Sequence, residues 1–298
     1  MTDKPKPDAD QQPDSSSDSR NHEARAAEGA EPNRPSERAE AMRTEAMNWW
    51  DDIVRAFIYL TRVYVPPDHL KDTNPIVTSM RAFPVIGAFV GAMGGLVYIS
   101  ATVLDLTPFI SATLSTAFMI TVCGALHEVG FAASLAALSR SSSLEEKLKT
   151  LRTRVIDTYG VIALVVVLLL KVGALTQIGL STGALSALGL LVAAGTLSRA
   201  AMVGAAYWLN PIDQQPEHLR PTERQVTDAL LVGFILATLS LLWSFSSVVA
   251  GSIGAALAAF WIGRMALEKL GGQSDEVQGA IQIISEVAFL LVAAAILA

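Results

Sequence analysis

Residues 81–104 read RAFPVIGAFVGAMGGLVYISATVL, and after Arg81 the stretch carries no charge. A bilayer core about 30 Å thick is crossed by about 20 apolar helical residues, so this one segment is long enough to span it. Comparable blocks follow at about 109–126, 158–170, 172–198, 229–263 and 287–298. Several have no polar face, which sets the chain apart from a soluble protein built on amphipathic helices. Within the first block Gly87, Gly91 and Gly95 recur every four residues. That small-xxx-small spacing lets two membrane helices approach closely.

The pattern predicts an all-α, polytopic integral membrane bundle of about seven spanning helices. They fall at roughly 82–105, 110–138, 156–179, 184–209, 226–244, 247–268 and 280–298. Thr107-Pro108, the polar run 139–155, Ser181-Thr182-Gly183, Asn210-Pro211, the weak stretch 244–247 and Gly271-Gly272 separate them. The fifth and sixth form one long apolar run, so a count of six stays open.

Ahead of the spans the composition changes. Residues 1–47 hold eleven acids and seven bases among Ser, Pro and Ala, with no hydrophobic period. Such a segment cannot bury enough surface to fold and is expected to be a disordered tail, leaving 48–298 as the membrane domain. No apolar core follows the first few residues, so the tail does not read as a signal peptide. In 48–65, Trp49, Ile53, Ala56, Phe57, Leu60 and Val63 share one helical face, and the paired Trp49-Trp50 suits a headgroup region. This is expected to be an interfacial helix, ended by Pro66-Pro67.

Basic residues set an orientation. Lys71 and Arg81, then Arg140, Lys147, Lys149, Arg152 and Arg154, then Arg220 and Arg224, and finally Lys269 occupy alternate loops, while the loops near 106–109, 180–183 and 245–246 have none. With seven spans all the basic loops share one side. By the positive-inside rule that side is cytoplasmic. The chain is then expected in the cell inner membrane, N-terminus in the cytoplasm and C-terminus in the periplasm. No basic stripe points to a nucleic-acid polymer. The lone Cys123 lies in an apolar block and reads as a buried, inert thiol.

Ionisable groups within membrane segments are costly and point to function. Here they are His127, Glu128, Asp157, Lys171, Arg199 and Glu286. Asp157 opens a helix, where an acid is favoured by the dipole in any case. Arg199 reads either as a site residue or as the partner of Glu128 or Glu286. Lys171, isolated in VLLLKVGAL, is expected to snorkel toward the outer interface. His127 and Glu128 are adjacent, so on a helix they point about 100° apart and share no face.

A set of ordered motifs resembles the cobalamin synthase family, the adenosylcobinamide-GDP ribazoletransferases. YLTRVYVP at Tyr59–Pro66 is similar to the family's FLTRLPVP, and Phe83, Pro84, Gly87 and Gly91 match F-P-x-x-G-x-x-x-G. GALHEVGFAASLAA follows G-x-L-H-x-D-G-x-A-D-x-x-D-G, and KLKTLRTRVIDTYG follows K-L-E-I-M-x-D-S-R-I-G-T-Y-G, with no gap between them. Leu197-Ser198-Arg199, then Arg220–Val226 as R-P-T-x-R-Q-V, and GGQSDEVQGAIQIISE complete the series. The likeness covers about residues 52–298.

The resemblance implies a membrane enzyme that joins α-ribazole, or its phosphate, to adenosylcobinamide-GDP and releases GMP. That is a magnesium-dependent phosphoryl transfer, in which carboxylates hold Mg2+. His127 and Arg199, kept in the motifs, are candidate catalytic residues, joined by Glu128, at an open motif position, and Asp157, in place of the family's Gly. Arg62, Thr158, Tyr159 and Arg220 are the candidate substrate-binding ones. The family's own Asp residues are replaced by Val129, Ala133, Ala136 and Thr153, its Arg by Val155, and its Gly-Asp by Asp275-Glu276. Glu128, Asp157 and Glu276 are then the candidate substitute metal ligands. Implied partners are corrinoid and ribazole substrates, the lipid bilayer, and either a second copy or other cobamide-assembly proteins. Two functions stay open: a transferase using substitute ligands, or a non-catalytic member that binds a partner or a corrinoid substrate.

Overall fold

The computed structural model describes residues 35–66, 76–139, 143–212, 220–242 and 244–298. The tail ahead of Pro35, with Lys71 and Arg140, lies outside the described residues. The chain divides into two units, Met1–Asn48 and Trp49–Ala298. Among the described residues the structure is all helix: α1 (Pro35–Leu60), a 3-10 turn (Ile76–Ala82), α2 (Phe83–Val103), α3 (Pro108–Cys123), α4 (Leu126–Ser139), α5 (Leu144–Arg152), α6 (Thr158–Thr182), α7 (Ala184–Trp208), α8 (Glu223–Thr238), α9 (Phe245–Leu270) and α10 (Asp275–Leu297). The helix expected over 48–65 thus starts earlier, at Pro35, and stops at Leu60.

Local chemistry sets the boundaries. Thr107 caps α3 by accepting from the Ile110 amide, with Pro108 in the first turn. Asp157 caps α6 through the Gly160 amide at 2.9 Å. Thr222 and Gln225 form a reciprocal capping box at the start of α8. Gly271, at φ 83°, ends α9 in the left-handed conformation that glycine adopts without penalty.

Five helical segments are long and apolar enough to cross a membrane: 76–103, 158–182, 184–208, 245–270 and 275–297. The expected single span 110–138 is instead two helices, α3 and α4, bent by 90°. The cause is two consecutive left-handed residues, Gly124 at φ 60° and Ala125 at φ 54°. Counting the bent pair as one span gives six. The difference from seven is α8: its 16 residues extend about 24 Å, and a 3-10 turn over Leu239–Leu242 completes the crossing. His127 and Glu128, expected deep in a long helix, therefore open α4.

The glycine repeat of α2 packs on α7. A Cβ on Gly87 would lie 2.1 Å from the Gly195 carbonyl oxygen, and one on Gly91 2.3 Å from the Leu191 carbonyl oxygen. The backbones touch, and only glycine permits that. α10 packs on α9, α4, α7 and α6, which makes it the centre of the second half.

The segments that carry the basic residues interlock at one end of the bundle. The Ile212 amide donates to the Gln273 carbonyl at 2.9 Å, and the Gln273 amide to the Asn210 carbonyl at 2.8 Å. Gln225 Nε2 donates to the Thr78 carbonyl at 2.9 Å. Arg154 Nε donates to Glu276 Oε1 at 2.8 Å. Arg81 joins the same end, 2.6 Å from Asp52 and 4.4 Å from the centre of the Trp49 ring.

Candidate functional site

Two polar layers meet at the start of α4. The inner layer lies within the spans. Lys171 Nζ on α6 sits 2.8 Å from Glu286 Oε1 on α10, with side-chain exposures of 4% and 2%. Gln282, one turn before Glu286, donates to its other oxygen and to Ser198 Oγ at 3.3 Å. Arg199, the largest fully buried side chain, donates through Nη1 to the Gly195 carbonyl at 3.1 Å. Its Nη2 lies 3.7 Å from Cys123 Sγ. Glu128 faces the charges of Lys171, Glu286 and Arg199. His127 Nε2 and Glu128 Oε2 are buried and carry no hydrogen bond among the described residues.

This layer corrects the expectation for Lys171. It does not snorkel, because a carboxylate waits for it inside the bundle. An ammonium in hydrocarbon is costly, and a buried partner offsets that cost. Arg199 joins the cluster, but its direct contacts are a carbonyl and a thiol.

The outer layer is a small cleft at the interlocked end. His127, Gly130, Tyr59, Arg154, Asp275, Glu276 and Gln278 contribute to its lining. Its volume is about 20 Å³, room for about one water. Tyr59 stacks on Phe83 with ring centres 6.0 Å apart. Burial, and then the negative charge of Asp275, push its phenol above the ordinary range, so it stays a hydrogen-bond donor. Arg154 adopts a left-handed backbone, φ 49°, and its side chain is half exposed. The hydrogen bond from Arg154 to Glu276 raises the guanidinium pKa.

The family's metal was tested against these donors. Glu276 has both oxygens occupied, Oε1 by Arg154 and Oε2 by the Ser274 hydroxyl at 2.8 Å. Asp157 Oδ1 caps α6. Glu128 is buried among the inner charges. Among the described residues no group of three or more His, Cys, Asp or Glu side chains could hold a metal ion. Glu128, Asp157 and Glu276 are therefore not gathered as one ligand set; the two carboxylates at the cleft are Asp275 and Glu276. Ala133 and Ala136, where the family has Asp, are completely buried. The neighbouring glycines show why the space is closed. A Cβ on Gly130 would lie 3.0 Å from the Glu276 carbonyl oxygen, and one on Gly160 2.5 Å from that of Ala132.

Of the other predicted residues, Arg62 packs against the bend. Its amide donates to the Val122 carbonyl at 2.7 Å, and its side chain fills the space a Cβ on Gly124 would need. Thr158 and Tyr159 are exposed at the start of α6. Arg220 bonds the Asn210 side chain. None of these four lines the cleft. The sequence reading missed Tyr59 and Arg154 at the cleft and the pairing of Lys171 with Glu286. A signal existed for two of them: Gln282 and Glu286 are four apart on one helical face, and Arg154 stands one residue before the family's arginine.

Comparison with known proteins places this geometry. Residues 52–294 match the family described as Cobalamin-5-phosphate synthase. The adenosylcobinamide-GDP ribazoletransferase of Bradyrhizobium diazoefficiens is 36% identical over 247 residues, covering 82% of this chain and 93% of that protein. Those of Sinorhizobium medicae and Azorhizobium caulinodans are each 32% identical, covering 83% and 80% of this chain and 97% and 94% of the relatives. No solved structure matches. The motifs, the helical membrane architecture and these matches have one conclusion: the chain belongs to the cobalamin-5-phosphate synthase family.

Proposed function

We propose that the chain works at the membrane on the compounds named for its relatives, adenosylcobinamide-GDP and ribazole, as a binding member with little or no turnover. The observation that carries this is the state of Glu276. Both its oxygens are held by Arg154 and Ser274, beside an α4 whose Ala133 and Ala136 are packed shut. Phosphoryl transfer depends on positioning and on neutralising charge at the transferred group. A Glu276 whose oxygens already serve Arg154 and Ser274 is poorly placed to hold magnesium for that task. We place the interlocked basic end in the cytoplasm, which puts the N-terminus there and the C-terminus in the periplasm. The positive-inside bias supports this.

Two measurements test the reading. Purified protein is incubated with adenosylcobinamide-GDP, ribazole and Mg2+, and GMP is followed. Release near background, together with saturable binding of adenosylcobinamide-GDP, is expected. Robust release abolished by Glu128→Gln or Asp157→Asn would establish the substitute-ligand transferase instead. For orientation, a cysteine at Ser143 should be shielded from impermeant thiol reagents in intact cells, and labelling from the periplasm would reverse the model.

A further inference from the structure

A hollow much larger than the cleft lies away from the polar site. α8 and α9 both pack on α7, and an apolar groove runs between them. Its volume is about 650 Å³, within the roughly 300–1,000 Å³ of small-molecule sites. Small side chains carve it: Ala201 and Gly204 on α7 face Ala256 and Gly263 on α9. Leu230 and Phe260, both well exposed, edge it. Two of its walls are candidate membrane spans, so its opening continues the bilayer-facing surface.

We propose that this groove seats one acyl chain of an anionic phospholipid. Three features select that occupant. The groove follows α9 from Ser252 to Leu267, about 22 Å at 1.5 Å per residue. That matches half of a bilayer about 40–45 Å thick with its headgroups. Its mouth carries Tyr207, Trp208 and Arg264, with Trp208 79% exposed. Tyr and Trp sit at headgroup level, and an arginine there meets a phosphate. Arg264 engages Glu268 at 2.5 Å through Nε, which leaves its terminal nitrogens for that contact. The third is the apolar lining between these ends, small at Ala201, Ala205, Ala256 and Ala259, along which a single hydrocarbon chain can lie. The inference rests on the groove alone and stands apart from the activity proposed above.

The test uses the full chain in vesicles of phosphatidylcholine and phosphatidylglycerol, doped with phosphatidylglycerol carrying a mid-chain photoreactive group. Crosslinks should concentrate on α7 near Ala201–Ala205 and α9 near Ala255–Gly263. Ala201→Phe with Ala256→Phe should lower them at least about fivefold. Arg264→Gln, at an exposed position that leaves folding unaffected, should lower the preference for phosphatidylglycerol over phosphatidylcholine about fivefold, the worth of one surface arginine. Crosslinks spread evenly over exposed positions such as Leu169 would overturn the proposal. So would an unchanged lipid preference in Arg264→Gln, or a disulfide dimer through Ala256→Cys, which would assign the groove to a second copy.

Discussion

α7 presents two stripes of small residues with opposite fates. On one, Gly195 meets Gly87: a Cβ there would lie 2.5 Å from the Gly87 carbonyl oxygen. On the other, Gly204 lines the groove, and a Cβ there would meet nothing within 4 Å. The two glycines are nine residues apart on one helix and look alike in the sequence. The difference lies in the partner. α2 answers the first stripe with its own glycines and closes the gap, while α8 and α9 stand apart and leave the second open. A small residue in a membrane helix thus marks either a contact or a hollow, and only the opposing surface decides which.

The contrast is broken most sharply at the closed face. Gly195→Leu drives a side chain into backbone that cannot yield, so a loss of about 3 kcal/mol or more is expected. Size-exclusion profiles in mild detergent should show the monodisperse peak disappear, and an unchanged peak would mean the α2–α7 seam is looser than described.

The seam runs straight into the buried charges, since a Cβ on Gly87 would also lie 2.8 Å from Arg199 Cδ. Lys171→Met leaves Glu286 buried without its cation, which costs about 3–5 kcal/mol. Adding Glu286→Gln should restore most of the lost thermal stability. If the double variant is no better than the single, the pair is not the partnership its geometry implies.

The open face should behave in the opposite way. Gly204→Ala replaces a poor helix former where space is free, so a gain of about 0.5–1 kcal/mol is expected. A thermal melt in detergent should shift upward. A fall comparable to that of the Gly195 variant would show that this stripe is occupied by protein.

Much of the architecture was legible because lipid imposes a simple rule: apolar length means helix. The glycine repeat at 87, 91 and 95 and the clustering of basic segments at one end were read from spacing and charge. The 90° bend was not. Gly124 signalled a possible stop, but nothing in the sequence marked the second left-handed residue, Ala125, or brought Arg62 to Gly124 from sixty residues away. Lys171 was misread for a similar reason, since its partner Glu286 lies 115 residues on. Motif order pointed to His127 and Glu276, which both line the cleft. It could not tell that Glu276 would be claimed by Arg154, because that pairing follows from tertiary placement.

The cleft draws on Tyr59 near its first helix and on Glu276 and Gln278 near its last. A membrane chain is threaded from the ribosome in order, so for most of synthesis the α4 surface at His127 and Gly130 has nothing to lean on. Arg154 waits 122 residues for Glu276, and Lys171 remains an unmatched cation until α10 is delivered. The pocket is therefore completed only when the last helix arrives. A chain cut short before residue 275 would leave Arg154 and Lys171 without the carboxylates that hold them in the complete fold.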